Sequence, residues 1–247
     1  MSDERFWELD FLRGLAVISM AGLHLVIDWH FLFDAGTAIP GPLYLWQRAT
    51  AGLFLLLVGV SLSLSRSKAL KNAAGFSGFF SKLLRRGFAI LSWGMLITVA
   101  TKLALSDGYV GFGVLHLIGS AVAISYPVLG LGGWNLGLGL GLIGLGVWLR
   151  TLRFSFPWLF WLGFIPEGFT AADYFPLLPW SGVVLIGVFL GDTLYPGYTR
   201  RIRLSDRSGS PLIRACVAIG RRSLWIYLIH QPLFMGLLLL AGWLLRQ

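Results

Sequence analysis

Charge is scarce in this chain. Of its 247 residues only 13% are Asp, Glu, Lys or Arg, while 56% are hydrophobic and the mean hydropathy is +0.76. An ordinary soluble domain carries about 25% charged residues, so the balance excludes that class and describes a polytopic membrane protein. Cysteine is nearly absent. The lone Cys216 excludes a disulfide framework and a paired-thiol redox or metal site, and it reads as a small packing residue. No metal is expected. The first ten residues, Met1 to Asp10, are acidic and lack the basic region and small-residue cleavage site of a secretory signal. The hydrophobic run that follows is therefore expected to be retained.

What is there, instead, is one apolar run after another. A span needs roughly 20 apolar residues, and seven are predicted, at about 10–33, 42–64, 86–105, 111–130, 133–150, 176–195 and 220–243. The expected fold is all-α: a polytopic helical bundle formed by a single transmembrane domain over residues 1–247, with no room for a sizeable soluble domain. A net charge of +9 invites a nucleic-acid reading, but the placement of the charge argues against one. Arg66, Lys68, Lys71, Lys82, Arg85 and Arg86 follow the second span, and Arg200, Arg201, Arg203, Arg207, Arg214, Arg221 and Arg222 follow the sixth. The positive-inside rule makes both segments, about 65–85 and 196–219, cytoplasmic loops. The N-terminus is then cytoplasmic, the C-terminus outside, and the lipid bilayer rather than nucleic acid is the partner. Asp28, Asp34, Asp107, Glu167 and Asp173 fall towards the opposite face.

Between the fifth and sixth spans, an extracytoplasmic segment at about 151–175 and its flank to Trp180 alternate aromatic residues with prolines. It reads either as an interfacial belt or as a re-entrant lid over a site. The fifth span carries Gly137, Gly139, Gly141, Gly144 and Gly146, which suit close helix packing or, alternatively, a groove for an extended ligand.

All four histidines, His24, His30, His116 and His230, fall within or at the ends of predicted spans, where ionisable groups are costly and commonly functional. Arg13 and His24 are eleven residues apart. On a helix this is about 1100° of turn and a rise of roughly 16 Å, so both lie on one face. Asp28 follows His24 at the i,i+4 spacing that lets a carboxylate reach an imidazole. Arg, His and Asp thus run from the cytoplasmic end outward, an order suited to group transfer across the membrane. Arginine would meet phosphates, and the histidine would act either as general base on an incoming hydroxyl or amine or as the nucleophile. Blander readings compete. Asp10 and Arg13 suit an interfacial ion pair, His30 an interface residue, and His116 and His230 interhelical hydrogen bonds. Arg48 needs a counter-charge, which Asp28 or Asp34 could supply.

Five segments carry a family resemblance: Leu9 to Ala16 (LDFLRGLA), Phe54 to Ser61 (FLLLVGVS), Phe112 to His116 (FGVLH), Asp173 to Trp180 (DYFPLLPW) and Gly220 to Pro232 (GRRSLWIYLIHQP). Together they resemble the prokaryotic branch of the heparan-α-glucosaminide N-acetyltransferase catalytic-domain family, over nearly the whole chain. The Arg13 to His24 spacing is also similar to a signature of the integral-membrane acyltransferases that O-acetylate bacterial surface glycans. Their second signature, two arginines three apart, is matched imperfectly by Lys82 and Arg85.

The resemblance implies an acetyl-CoA-dependent acyltransferase of the cytoplasmic membrane that passes an acetyl group to an extracytoplasmic glycan or amino-sugar acceptor. It makes His24 or His30 the catalytic histidine. Asp28, His116 and His230 are expected to orient that histidine or the acceptor. Arg13, Lys82, Arg85 and Arg86 are the expected ligands of the coenzyme phosphates, and Arg48, Asp173 and Trp180 are candidates for acceptor contact. A homodimer is among the expected partnerships. Two other classes remain open at this point: a transporter with a His/Asp/Arg relay, and a metal or haem protein ligated by His24, His116 and His230.

Overall fold

In the computed structural model, residues 5–33, 41–72, 76–104, 109–171, 173–202, 204 and 209–244 are described. Among them are eight α-helices and a parallel pair of very short strands. In chain order these are α1 (Trp7–Phe33), α2 (Gly41–Lys71), α3 (Phe76–Ala104), β1 (Val110–Phe112), α4 (Val114–Ile124), α5 (Trp134–Leu149), β2 (Asp173–Tyr174), α6 (Leu177–Leu194), α7 (Pro211–Arg221) and α8 (Ser223–Leu244). Five of them, α1, α2, α3, α6 and α8, are long and apolar enough to cross a bilayer. The fold is an all-α membrane bundle.

Several expected boundaries shift. The spans expected at 111–130 and 133–150 shorten to α4 with 11 residues and α5 with 16. β1 takes the start of the first of these segments, and Pro127, inside a 3₁₀ turn at Tyr126–Val128, closes it because proline cannot supply the next helical N–H. The loop expected at 65–85 is largely helix, since α2 continues to Lys71 and α3 begins at Phe76. The loop expected at 196–219 contains the amphipathic α7, which starts on Pro211, where the missing N–H costs nothing. Asp34, Asp107, Arg203 and Arg207 lie outside the described residues.

The chain divides into two compact units. The first comprises Met1–Phe54 and Leu204–Gln247, hence α1, the first part of α2, α7 and α8. Glu8 and Asp10 in the first turn of α1 complement its positive N-terminal dipole. α7 lies tightly on α1 because glycines let the backbones touch. A Cβ on Gly14 would collide with the carbonyl oxygen of Cys216, and one on Gly220 with that of Asp10. Cys216 is buried and free, as expected for a packing residue. Ser19 links α1 to α2 through Thr50 Oγ1 at 2.8 Å and Trp46 Nε1 at 2.7 Å.

The second unit, Leu55–Arg203, holds the rest of α2 with α3 to α6. Its interhelical contacts are again between small residues. Gly59 and Ser63 of α2 meet Gly187 and Gly191 of α6, and Ser63 donates to Asp192 Oδ1 at 2.5 Å. Gly139 and Gly146 of α5 meet Gly182 and Pro179 of α6, whereas Gly137, Gly141 and Gly144 have no neighbour within 4 Å of a would-be Cβ. Two of the five α5 glycines therefore serve close packing.

Candidate active site

The first unit brings together residues 206 positions apart. His24, partly buried on α1, places Nδ1 2.9 Å from Nε2 of His230 on α8, with ring centroids 4.9 Å apart. His230 is buried, and its Nδ1 lies 2.7 Å from the carbonyl oxygen of Tyr227 and 3.2 Å from that of Ile226. Phe234 meets the His230 ring edge to face. One turn beyond His24, Asp28 is 4% exposed and accepts a hydrogen bond from Gln231 Nε2 at 2.7 Å. The other carboxylate oxygen, Oδ2, and Gln231 Oε1 are both buried without a hydrogen-bond partner among the described residues.

This corrects one expectation. The i,i+4 spacing permits Asp28 to reach His24, but the carboxylate is bound to Gln231 while the imidazole is bound to His230. Asp28 is not the counter-charge of Arg48 either. The Arg48 guanidinium sits over the Tyr44 ring, 4.6 Å from its centroid, a cation–π arrangement. His30, in the last turn of α1, is six residues beyond His24 and so about 120° round the helix from it.

At the start of α1, Arg13 Nη1 is 2.5 Å from Asp10 Oδ1, and Arg221 Nε of α7 is 3.2 Å from Asp10 Oδ2. One buried carboxylate is thus shared by two guanidiniums, and the ion pair weighed for Asp10 and Arg13 is present. Lys82, Arg85 and Arg86 belong to the second unit, exposed on the early turns of α3.

His116 also belongs to the second unit, with both ring nitrogens engaged. Its Nδ1 accepts from the Gly113 N–H at 3.2 Å, so Nε2 carries the proton and donates to Thr98 Oγ1 at 3.2 Å, and Thr98 donates in turn to Val110 O at 2.7 Å. The ring ties α4 to α3 and β1. Asp173, at the start of β2, sets its Oδ2 against Gly113, where an added Cβ would come within 2.5 Å. Trp180 is buried, with the Phe175 ring tilted against it and centroids 5.0 Å apart. The aromatic segment packs largely on itself through Phe154, Phe156 and Phe164, leaving Trp158 and Trp161 exposed. Tyr174 Oη donates to Phe160 O at 2.6 Å, and burial pushes its phenol up to about 12, with Arg150 pulling the other way.

One feature escaped the sequence reasoning. A cleft of about 430 Å³ opens where α2 ends, lined by Arg66, Ser67, Lys71, Asp192 and Pro196. By sequence alone its two cations belong to a solvated loop. Their spacing along α2 carried no ligand signal, because the facing wall comes from residues more than a hundred positions later.

Apolar helices of spanning length define a multi-pass membrane protein, and two of them bring a histidine pair together. The more particular assignment comes from the sequence: the family model described as heparan-alpha-glucosaminide N-acetyltransferase, catalytic, matches residues 5–232, and the chain belongs to that family of transmembrane acetyltransferases. No curated protein and no solved structure matches it significantly.

Proposed function

We propose that the protein is an acyltransferase of the cytoplasmic membrane that moves an acetyl group from cytoplasmic acetyl-CoA to a sugar amine or hydroxyl on the extracytoplasmic side. The observation that carries this reading is the state of His24. Its Nδ1 is held by His230, while its Nε2 has no hydrogen-bond partner among the described residues. An imidazole fixed through one nitrogen and open at the other is arranged to handle a proton of the reactants.

In this reading, the acceptor's nitrogen or oxygen attacks the thioester carbonyl while His24 Nε2 takes its proton. The new C–N or C–O bond forms, the C–S bond breaks, and the proton passes to the coenzyme thiolate as it leaves. Arg13, sharing the His24 face of α1 roughly 16 Å nearer the cytoplasm, is the proposed phosphate ligand there. Lys82, Arg85 and Arg86, in the second unit, are kept as proposed phosphate ligands. Arg48, Asp173 and Trp180 are kept as proposed acceptor contacts. His116 is assigned to structure, because neither of its nitrogens is open.

Labelled acetyl-CoA and the purified protein in nanodiscs test this, with His24→Ala, His30→Ala and Arg13→Ala beside wild type. The expected result is transfer or hydrolysis by wild type, lowered about 10²- to 10⁴-fold by His24→Ala, as for loss of a general base. His30→Ala should retain turnover, and Arg13→Ala should weaken donor binding. A folded wild type that neither binds nor turns over acetyl-CoA would overturn the proposal.

A further inference from the structure

His230 has a role that the transfer reaction does not by itself require, and the hydrogen-bond directions define it. A peptide carbonyl only accepts, so the Tyr227 oxygen at 2.7 Å obliges His230 Nδ1 to carry the proton. In a neutral ring the other nitrogen, Nε2, is then bare and can only accept. The atom that faces it at 2.9 Å is His24 Nδ1, which must therefore donate. With Nδ1–H fixed, His24 keeps its lone pair on Nε2, the nitrogen without a partner.

We propose that His230 is a positioning residue that locks His24 in the Nδ1–H tautomer, taking the part that a carboxylate plays in hydrolytic triads, with the Tyr227 carbonyl fixing the tautomer of His230 itself. The inference rests on the reading of His24 as the base. The direction of the chain matters: a proton placed on His230 Nε2 would make that nitrogen the donor, reverse the bond and leave His24 protonated at Nε2 and idle. When His24 Nε2 takes the acceptor's proton, the charged ring still donates Nδ1–H to His230 Nε2, so no bond in the chain has to be broken or turned round. The phenyl edge of Phe234 and the helical backbone of α8 hold the His230 ring at this angle.

Two readouts separate positioning from mere packing. The first is ¹⁵N NMR of histidine-labelled protein in nanodiscs, with the His24 signals assigned by their loss in His24→Gln. Wild type is expected to show a protonated Nδ1 and a bare Nε2 at His24, and His230→Ala to shift that ring towards the Nε2–H form. The second is turnover. His230→Ala should lower kcat by about 10²- to 10⁴-fold with the donor KM nearly unchanged, and His230→Gln, whose amide oxygen reaches the place of Nε2, should recover most of it. An Nε2–H tautomer at His24 in wild type, or wild-type kcat in His230→Ala, overturns the proposal. Wild-type protein with the Nδ1–H tautomer but no transfer would sink the acyltransferase reading instead, while the spectrum would still support the lock.

Discussion

His116 and His24 are chemically the same side chain, and their hydrogen bonds assign them different work. Both nitrogens of His116 are spent inside the second unit, on Gly113 N–H and on Thr98. His116→Ala should therefore strand a buried peptide N–H, at a cost of about 1–3 kcal/mol, and remove the bond that Thr98 accepts while its own bond to Val110 stays. It is expected to lower the thermal unfolding midpoint in detergent, with Thr98→Val giving a smaller loss in the same direction. A midpoint equal to wild type in His116→Ala would remove His116 from the structural scaffold. At this scale the sequence was half legible. Placing His24 at mid-span on the Arg13 face needed only helical arithmetic. Its partner was not legible, because nothing local connects positions 24 and 230. The same limit misdirected Asp28: i,i+4 spacing allows a contact but does not rank it against an amide arriving on another helix.

The helices are held by places where a side chain is missing. In lipid there is little hydrophobic gain from bringing apolar helices together, so close backbone approach has to supply van der Waals contact. Gly187 of α6 faces backbone, the Leu56 carbonyl and the Gly59 Cα of α2, and backbone cannot swing aside. Gly187→Leu is expected to destabilise the second unit by about 3 kcal/mol, at the upper end of ordinary overpacking. Gly141→Leu, with nothing within 4 Å of the new Cβ, should stay within about 0.5 kcal/mol of wild type. Thermal unfolding of both variants reads the difference, and equal midpoints would refute the packing assignment. The glycine run of α5 was conspicuous in the sequence, yet only Gly139 and Gly146 turn out to be contact points. At 100° per residue Gly139 and Gly146 share one face and Gly137, Gly141 and Gly144 the opposite one, so density of glycine did not identify which of the two packs. The isolated Gly59, Gly182, Gly187 and Gly191 carry no packing signal in the sequence because their partners lie on other helices.

Whether the short α4 and α5 complete crossings matters for the whole molecule's orientation. α4 has 11 residues, about 16 Å of helix, against a hydrocarbon core near 30 Å. Its contacts nevertheless run the length of α3: His116 touches Gly94, Gly119 and Ala123 meet Gly87, and Tyr126 packs on Phe79 and Phe80 near the start of α3. A Cβ built on Gly130, in the turn that follows, would lie 3.6 Å from Arg66 Nη2 near the end of α2. The turn between α4 and α5 therefore sits at the basic end of this unit, while β1 and β2 sit at the other. The two short helices come as a pair, so five long spans or seven crossings give the same parity, and the arginines after α6 stay on the side of those after α2. The positive-inside rule makes that side cytoplasmic. In a Cys216→Ala background, a membrane-impermeant maleimide is expected to label Thr151→Cys in intact cells. Asn72→Cys and Gly133→Cys should react only after permeabilisation. Labelling of Asn72→Cys from outside would invert the orientation. Labelling of Gly133→Cys together with Thr151→Cys would mean that α4 and α5 enter and leave by the same face, and the contacts of Tyr126 and Gly130 would then have to be abandoned along with the seven-crossing path.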